Sequence, residues 1–234
     1  MNANSFFRFP HTPHIAWLGE GPPRDNKVLS SKEAEALLSG PVLVEEKLDG
    51  ANLGISLGSD ARPRVQNRGQ YLIEPYTGQF SRLSSWLAQH RFALADTLED
   101  KLILFGEWCA ARHSLGYDNL PDWFLLFDVY DRAEDCFWSS GRRNALADLM
   151  GLAVVPPFFS GQTSLAKLKI LLTTRTSHYR DGPAEGLIIR SESTDGCDVR
   201  AKLVRGEFVQ TIDEHWRSRT LEWNRVQHPM TADT

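Results

Sequence analysis

Four short motifs carry residue types that could do covalent chemistry. Lys47 closes the run Val42-Leu43-Val44-Glu45-Glu46-Lys47 and is followed by Leu48-Asp49-Gly50. Glu107 follows Phe105-Gly106, Glu185 precedes Gly186-Leu187-Ile188-Ile189, and Lys202 stands between Ala201 and Leu203. A solvated lysine titrates near ~10.4 and is protonated at neutral pH, so its amine cannot attack. Partial burial at the end of an apolar strand, or a nearby cation, lowers that pKa and frees a nucleophile. A glycine at position 50 lets backbone approach a ligand closely. Acids at the mouths of buried strands suit a sugar hydroxyl or a metal ion, and a second lysine suits phosphate charge. Taken singly, each motif has a plainer reading. A lone K-x-D-G is more often an exposed lysine beside a hairpin turn. The two acids alone read as solvated strand ends, and Lys202 alone as a snorkelling side chain on an edge strand. One lysine, two acids and a second lysine, in this order on four predicted strands, read together as one site.

This order resembles the covalent nucleotidyltransferases: ATP-dependent DNA and RNA ligases and mRNA capping enzymes. The likeness is greatest to ATP-dependent RNA ligases of the RNA ligase 2 type and spans about residues 42–205. It implies an α+β nucleotidyltransferase (ATP-grasp-like ligase adenylation) fold, with two antiparallel sheets flanking an ATP cleft and peripheral helices. It also implies roles. Lys47 attacks the α-phosphate of ATP, expels pyrophosphate and becomes a lysyl-AMP. Glu107 contacts the ribose, Glu185 helps bind the catalytic metal, and Lys202 contacts the α-phosphate. Arg68, in Asn67-Arg68-Gly69, binds phosphate of the nucleotide or of the nucleic-acid end. Phe127, in Phe124-Leu125-Leu126-Phe127-Asp128, stacks on adenine. Glu45 or Glu46 reads the adenine amino group, and the motif does not say which. Asp49 is counted with the nucleotide-binding group. One departure stands out. The family often ends on a Lys-x-Lys pair, and here the run is Arg200-Ala201-Lys202-Leu203-Val204-Arg205. Either Arg200 replaces the first lysine or Val204 replaces the second.

The implied reaction joins RNA 3′-OH and 5′-phosphate ends, in RNA repair, through self-adenylylation, AMP transfer to a 5′-phosphate and attack by the 3′-OH. ATP is the expected cofactor, with Mg2+ or, in its place, Mn2+. The expected partners are RNA ends or a nicked duplex, together with an end-healing kinase or phosphatase. A DNA nick-sealing ligase and a non-catalytic nucleotide- or RNA-binding module are the alternatives. A capping guanylyltransferase fits least, because no OB-fold is read after Lys202.

These motifs need elements to hold them. The chain has 234 residues, of which 41% are apolar, and a formal charge of −4, which gives no global basic footprint for nucleic acid. Three cysteines without a CxxC pair suit a reducing cytoplasm and no zinc site. No apolar stretch approaches the ~18 residues of a membrane span. The whole chain, 1–234, reads as a single nucleotidyltransferase domain. Residues 1–29 are expected to wrap the surface irregularly, and His11 and His14 are read as structure or surface. Ser30-Ser31-Lys32-Glu33 predicts a capped helix ending at Gly40. Strands are predicted over Val42–Lys47 and Ala51–Leu57, as a hairpin, and over Arg64–Arg68, Lys101–Trp108, Trp123–Tyr130, Glu185–Arg190 and Val199–Val204. Helices are predicted over Ser81–His90, Arg142–Met150 closed by Gly151, Thr163–Leu172, and 207–224 with Phe208, Ile212 and Trp216 on one face. Trp108 is placed beside the site, and Arg142-Arg143 in solvent.

Overall fold

A computed structural model describes residues 5–23, 28–211 and 221–227. Helix α1 (Ser31–Leu37) opens on the capping box read from the sequence: the Ser30 hydroxyl accepts from Glu33 N, and the Glu33 carboxylate accepts from Ser30 N. Strands β1 (Val42–Lys47), β2 (Ala51–Leu57) and β3 (Pro63–Gln66) follow. Then come α2 (Leu83–Thr97), β4 (Leu102–Trp108), β5 (Phe124–Asp131), β6 (Cys136–Phe137) and α3 (Ser140–Met150). The remaining elements are β7 (Ala153–Val154), β8 (Pro157–Gly161), α4 (Leu165–Thr174), β9 (Gly186–Glu192), β10 (Cys197–Val204) and α5 (Gly206–Thr211). Helix α3 stops where Gly151 adopts φ 64°, a left-handed cap that favours glycine.

Two sheets result. One runs β10-β9-β1-β8, antiparallel throughout. The other runs β3-β2-β4-β5-β6, with β7 added parallel to β5. Each sheet has its own core. Leu53, Ile55, Leu104, Phe124 and Leu126 of the larger sheet pack with Leu83, Trp86 and Leu94 of α2 and Leu146 and Met150 of α3. Val44, Leu187, Ile189, Ala201 and Leu203 of the smaller sheet pack with Leu37 of α1 and Leu168 and Leu172 of α4. Burying each such side chain contributes roughly 1.5–3 kcal/mol.

Three expectations need correction. First, β1 and β2 are not a hairpin. They pair with different neighbours, and Leu48-Asp49-Gly50 crosses from one sheet to the other. The cause is that β1 is buried on both faces and takes β9 and β8 as partners, which leaves no edge for β2. Second, the N-terminal segment is not a loose wrap. Pro13 O accepts from Lys202 N at 2.8 Å and Ile15 N donates to Lys202 O at 2.9 Å, so the segment lies along the outer side of β10. Third, the helix read over 207–224 does not reach Asn224. Helix α5 is described over Gly206–Thr211, and residues 221–227 are not helical but form bridges to Ala111 and Leu120 through Trp223 and Val226. Ile212 and Trp216 lie outside the described residues.

Candidate active site

A cavity of about 750 Å³ opens between the two sheets. Lys47 from β1, Glu185 before β9 and Lys202 from β10 line it on one side; Glu107 from β4 and Phe127 from β5 line it on the other. Pairing explains the convergence. Lys47 is in register with Gly186, which puts Glu185 next to the end of β1. Asn52 is in register with Glu107, so the crossing segment delivers Gly50 to the acid. The Gly50 amide donates to Glu107 Oε1 at 3.0 Å. A Cβ on Gly50 would lie 2.6 Å from Trp108 O and 3.0 Å from Glu107 Cγ, so only glycine lets the crossing pass that close.

Lys47 Nζ sits 2.7 Å from Glu185 Oε2 and donates to Leu48 O at 3.2 Å. Burial pulls the pKa of Lys47 down, but Glu185 and Glu107 outweigh it, so the amine is held protonated above its ordinary value. The acids bear the cost of their environment. Burial pushes Glu185 up to about 7 against the pull of Lys47, with Asp49 adding to the rise. Burial likewise pushes Glu107 up to about 7, opposed by Lys47 and reinforced by Glu185 and Asp49. Lys202 falls to about 8 through burial and the Lys47 charge. The resting site therefore holds a paired ammonium and two carboxylates that would readily take a cation.

The remaining predicted residues divide. Phe127 is half-buried on the cavity wall, with Phe9 edge-on at 5.3 Å. Arg68 is exposed at the mouth, on a turn where Asn67 Oδ1 accepts from Gly69 N and Gln70 N. Glu45 is buried and paired with Arg143 at 2.6 Å. Glu46 accepts from His178 N at 2.8 Å through Oε2, whereas its buried Oε1 has no hydrogen-bond partner. Asp49 does not line the cavity. Its Oδ2 accepts from Ser114 N and Leu115 N, both at 2.7 Å, and its amide donates to Tyr117 Oη. Its carboxylate anchors the loop after β4, which corrects its placement among nucleotide contacts. Arg200 lies on the same face of β10 as Lys202, and its charge is committed to Asp128 and to the rings of Phe137 and Phe9. Arg205 turns away, bonding the carbonyls of Ala184 and Leu172.

Two minor expectations fail. Trp108 is fully buried with its Nε1 on Gln79 O, so it belongs to the core. Arg143 is buried with Glu45 and Phe127 O, not solvated. Sequence reasoning missed Phe9, His14 and Trp17, which also line the cavity. No local signal marks them: His14 is placed by pairing with Lys202, nearly the whole chain away, and Phe9 by packing on Phe105 and Phe137.

This arrangement agrees with what the chain is similar to. The sequence profile of the RNA ligase family matches residues 40–204, well over half of the chain. The chain belongs to the RNA ligase family. No curated protein matches the sequence. Among solved structures, a Naegleria gruberi RNA ligase with pyrophosphate matches with a TM-score of 0.57 at 19% identity, over 77% of this chain and 54% of that one. A substituted form of the same organism's RNA ligase, with ATP and Mn, matches with a TM-score of 0.60 at 16% identity, over 86% and 63%. A further variant, with AMP and Mn, gives a TM-score of 0.57 at 16% identity, over 88% and 64%. The chain thus spans less than two thirds of the length of these RNA ligases. These likenesses establish the fold: an RNA ligase nucleotidyltransferase fold, with the motif residues at the cleft between its sheets.

Proposed function

We propose that this RNA ligase family member is an ATP-dependent RNA ligase that joins 3′-OH and 5′-phosphate ends through an AMP held on Lys47. One observation carries the reading. Lys47, Glu107 and Lys202 from three strands of two sheets, and Glu185 at the head of a fourth, meet at one cavity, with the Lys47 amine 2.7 Å from Glu185. Phosphoryl chemistry is mostly positioning and charge neutralisation, and this set supplies both. Lys47 attacks the α-phosphorus, pyrophosphate leaves, and the phosphoramidate then passes AMP to an RNA 5′-phosphate. Attack by the 3′-OH on that activated end releases AMP. Lys202 neutralises the α-phosphate. Glu107 meets the ribose, and Phe127 stacks on adenine. Of the two candidate adenine readers, Glu46 is preferred, because its Oε1 awaits a donor while Glu45 is committed to Arg143. Arg68 receives phosphate of the nucleotide or of the RNA end.

Glu185 fits a divalent cation: it is a buried carboxylate pushed up to about 7, and Mg2+ takes one or two carboxylates with phosphate oxygens as the rest. Glu185 would hold Mg2+ or Mn2+, which would supply neutralisation of phosphate charge. A Glu185 turned toward a cation would no longer pair with Lys47, and the Lys47 ammonium would more readily lose its proton. Among the described residues no helix is long and apolar enough to cross a membrane, and the three cysteines are free. A cytoplasmic role in RNA repair, with an end-healing kinase or phosphatase, completes the proposal. The partner rests on the net charge of −4, which offers no broad basic surface.

The test is transfer of label from α-labelled ATP onto the protein, with magnesium, for wild type and Lys47→Ala. Acid-labile label that is lost in the variant is the expected result. No label after pyrophosphate has stripped prebound AMP refutes the reading. Nicks with RNA or DNA on the 3′-OH side then separate RNA from DNA sealing. Robust sealing by the isolated chain would remove the partner.

A further inference from the structure

His14 is an unabsorbed feature of the cleft. It is 3% exposed and lines the cavity, yet its buried Nδ1 has no hydrogen-bond partner. A histidine that merely fills a core normally has its ring nitrogens satisfied. The backbone holding it is tightly clamped. Pro13 O and Ile15 N bracket Lys202, and His14 O accepts from Leu29 N at 2.8 Å. The Trp17 ring lies edge-on at 5.0 Å and 72°. The imidazole is thus fixed against the cavity with polar capacity to spare.

Sheet order says which part of a nucleotide it would meet. From β1 outward the sequence is Lys47, Glu185 at the head of β9, Lys202 on β10, and then the N-terminal segment beyond β10. An amine attacking the α-phosphorus needs the leaving group roughly in line on the opposite side. If Lys47 attacks and Lys202 holds the α-phosphate, the leaving phosphates extend away from β1, toward the segment. We propose that His14 binds the β- or γ-phosphate of the bound nucleotide, the part that departs as pyrophosphate, by donating a hydrogen bond from its ring. The assignment rests on the nucleotide reading of the cavity.

Electrostatics suit that task. Burial, then the charges of Lys202 on β10 and Lys47 on β1, with His11 on its own segment, hold His14 down to about 4. The imidazole is therefore neutral, with one N–H to donate. The acids that line the same cavity are Glu20, Glu45, Glu46, Glu107, Asp128 and Glu185. A polyphosphate offsets the two ammonium charges that oppose protonation, so the ring can strengthen its donation once the ligand is in place.

Nucleotide binding to the Lys47→Ala protein, which holds ATP without reacting, tests this. Titration calorimetry with magnesium would compare ATP and AMP on this parent and on parents carrying His14→Leu or His14→Gln. Losing one hydrogen bond to a charged phosphate should weaken ATP by roughly tenfold in His14→Leu. AMP, which lacks the outer phosphates, should bind as before, and His14→Gln, which keeps a donor, should recover part of the ATP affinity. Should His14→Leu not fold, His14→Met carries the same comparison. Equal weakening of ATP and AMP, or no change in either, overturns the proposal and leaves His14 a packing residue. A parent that binds neither nucleotide overturns the nucleotide reading itself, and this proposal with it.

Discussion

Glu107→Gln should make the nucleotide-free protein more stable while impairing its chemistry. Burial, and the neighbouring charges of Glu185 and Asp49, push the Glu107 carboxyl up to about 7 from an ordinary value of 4.5. Folding stability changes with pH according to the protons bound by the unfolded chain minus those bound by the folded one. Between these two values the folded protein binds more protons at Glu107 than the unfolded chain does. Stability from this group is thus fully present below pH 4.5 and is lost as pH rises through 7. The span of about 2.5 pH units, at ~1.36 kcal/mol per unit, caps the loss at about 3 kcal/mol. Because Glu107 and Glu185 share Lys47 and titrate together, an effect of roughly 1–3 kcal/mol is expected. Glutamine keeps the shape and can still accept the Gly50 amide through its Oε1, so the substitution removes charge alone. Urea denaturation of nucleotide-free wild type and variant at pH 5, 6.5 and 8 reads the outcome. The gap in favour of the variant should be small at pH 5 and largest at pH 8, and read there as a higher urea midpoint. A variant equal to or weaker than wild type at pH 8 would refute the reasoning. It would mean that Lys47 fully compensates both acids in the resting site. The same variant should label poorly with α-labelled ATP, since the charge that burdens the fold serves the ligand.

Three further outcomes follow from the packing. Gly186→Ala would place a Cβ 2.6 Å from Leu203 O and 3.1 Å from Val204 Cα, both backbone, so β9 and β10 must separate. A cost of about 1–3 kcal/mol is expected in denaturation, with labelling reduced because Lys202 shifts against Glu185. Glu45→Ala leaves Arg143 buried and uncompensated and should cost about 3–5 kcal/mol, whereas Glu45→Met with Arg143→Leu should cost clearly less, as a double-mutant cycle would measure. Asp49→Ala strands the amides of Ser114 and Leu115 and should destabilise by roughly 1–3 kcal/mol, while Asp49→Asn keeps an acceptor and should keep most of the AMP labelling.

What the sequence made legible was local. The Ser30 capping box, the Gly151 cap and the apolar runs of β4 and β5 are set by neighbours within a few residues, and the structure has them where the pattern predicts. The motif residues were legible for the same reason: each lies on or beside a strand whose apolar pattern is plain. What escaped was pairing at long range. Nothing near Leu48-Asp49-Gly50 tells a crossing from a hairpin turn, because that depends on β8 and β9 claiming both edges of β1. Strand β8 itself, Pro157–Gly161, carries a proline and no clean alternation. The same holds for Arg143, whose burial is decided by Glu45 in β1, and for His14, which is placed by Lys202. The last helix was overread because 221–227 is held by Ala111 and Leu120, partners that periodicity does not reveal.

The position of β1 also bears on how the molecule comes into being. Its two neighbours, β8 and β9, lie more than a hundred residues farther along the chain, and the segment holding His14 waits for β10. During synthesis the lysine emerges early on an apolar strand with both edges unpaired, and the acid and second lysine that complete its surroundings arrive in the last third. A partly made chain therefore has no assembled cleft, and Lys47 stays an ordinary solvated lysine until the small sheet closes. Such distant pairing slows folding and leaves an exposed, sticky strand in the meantime. Assembly of the site and completion of the fold are one event.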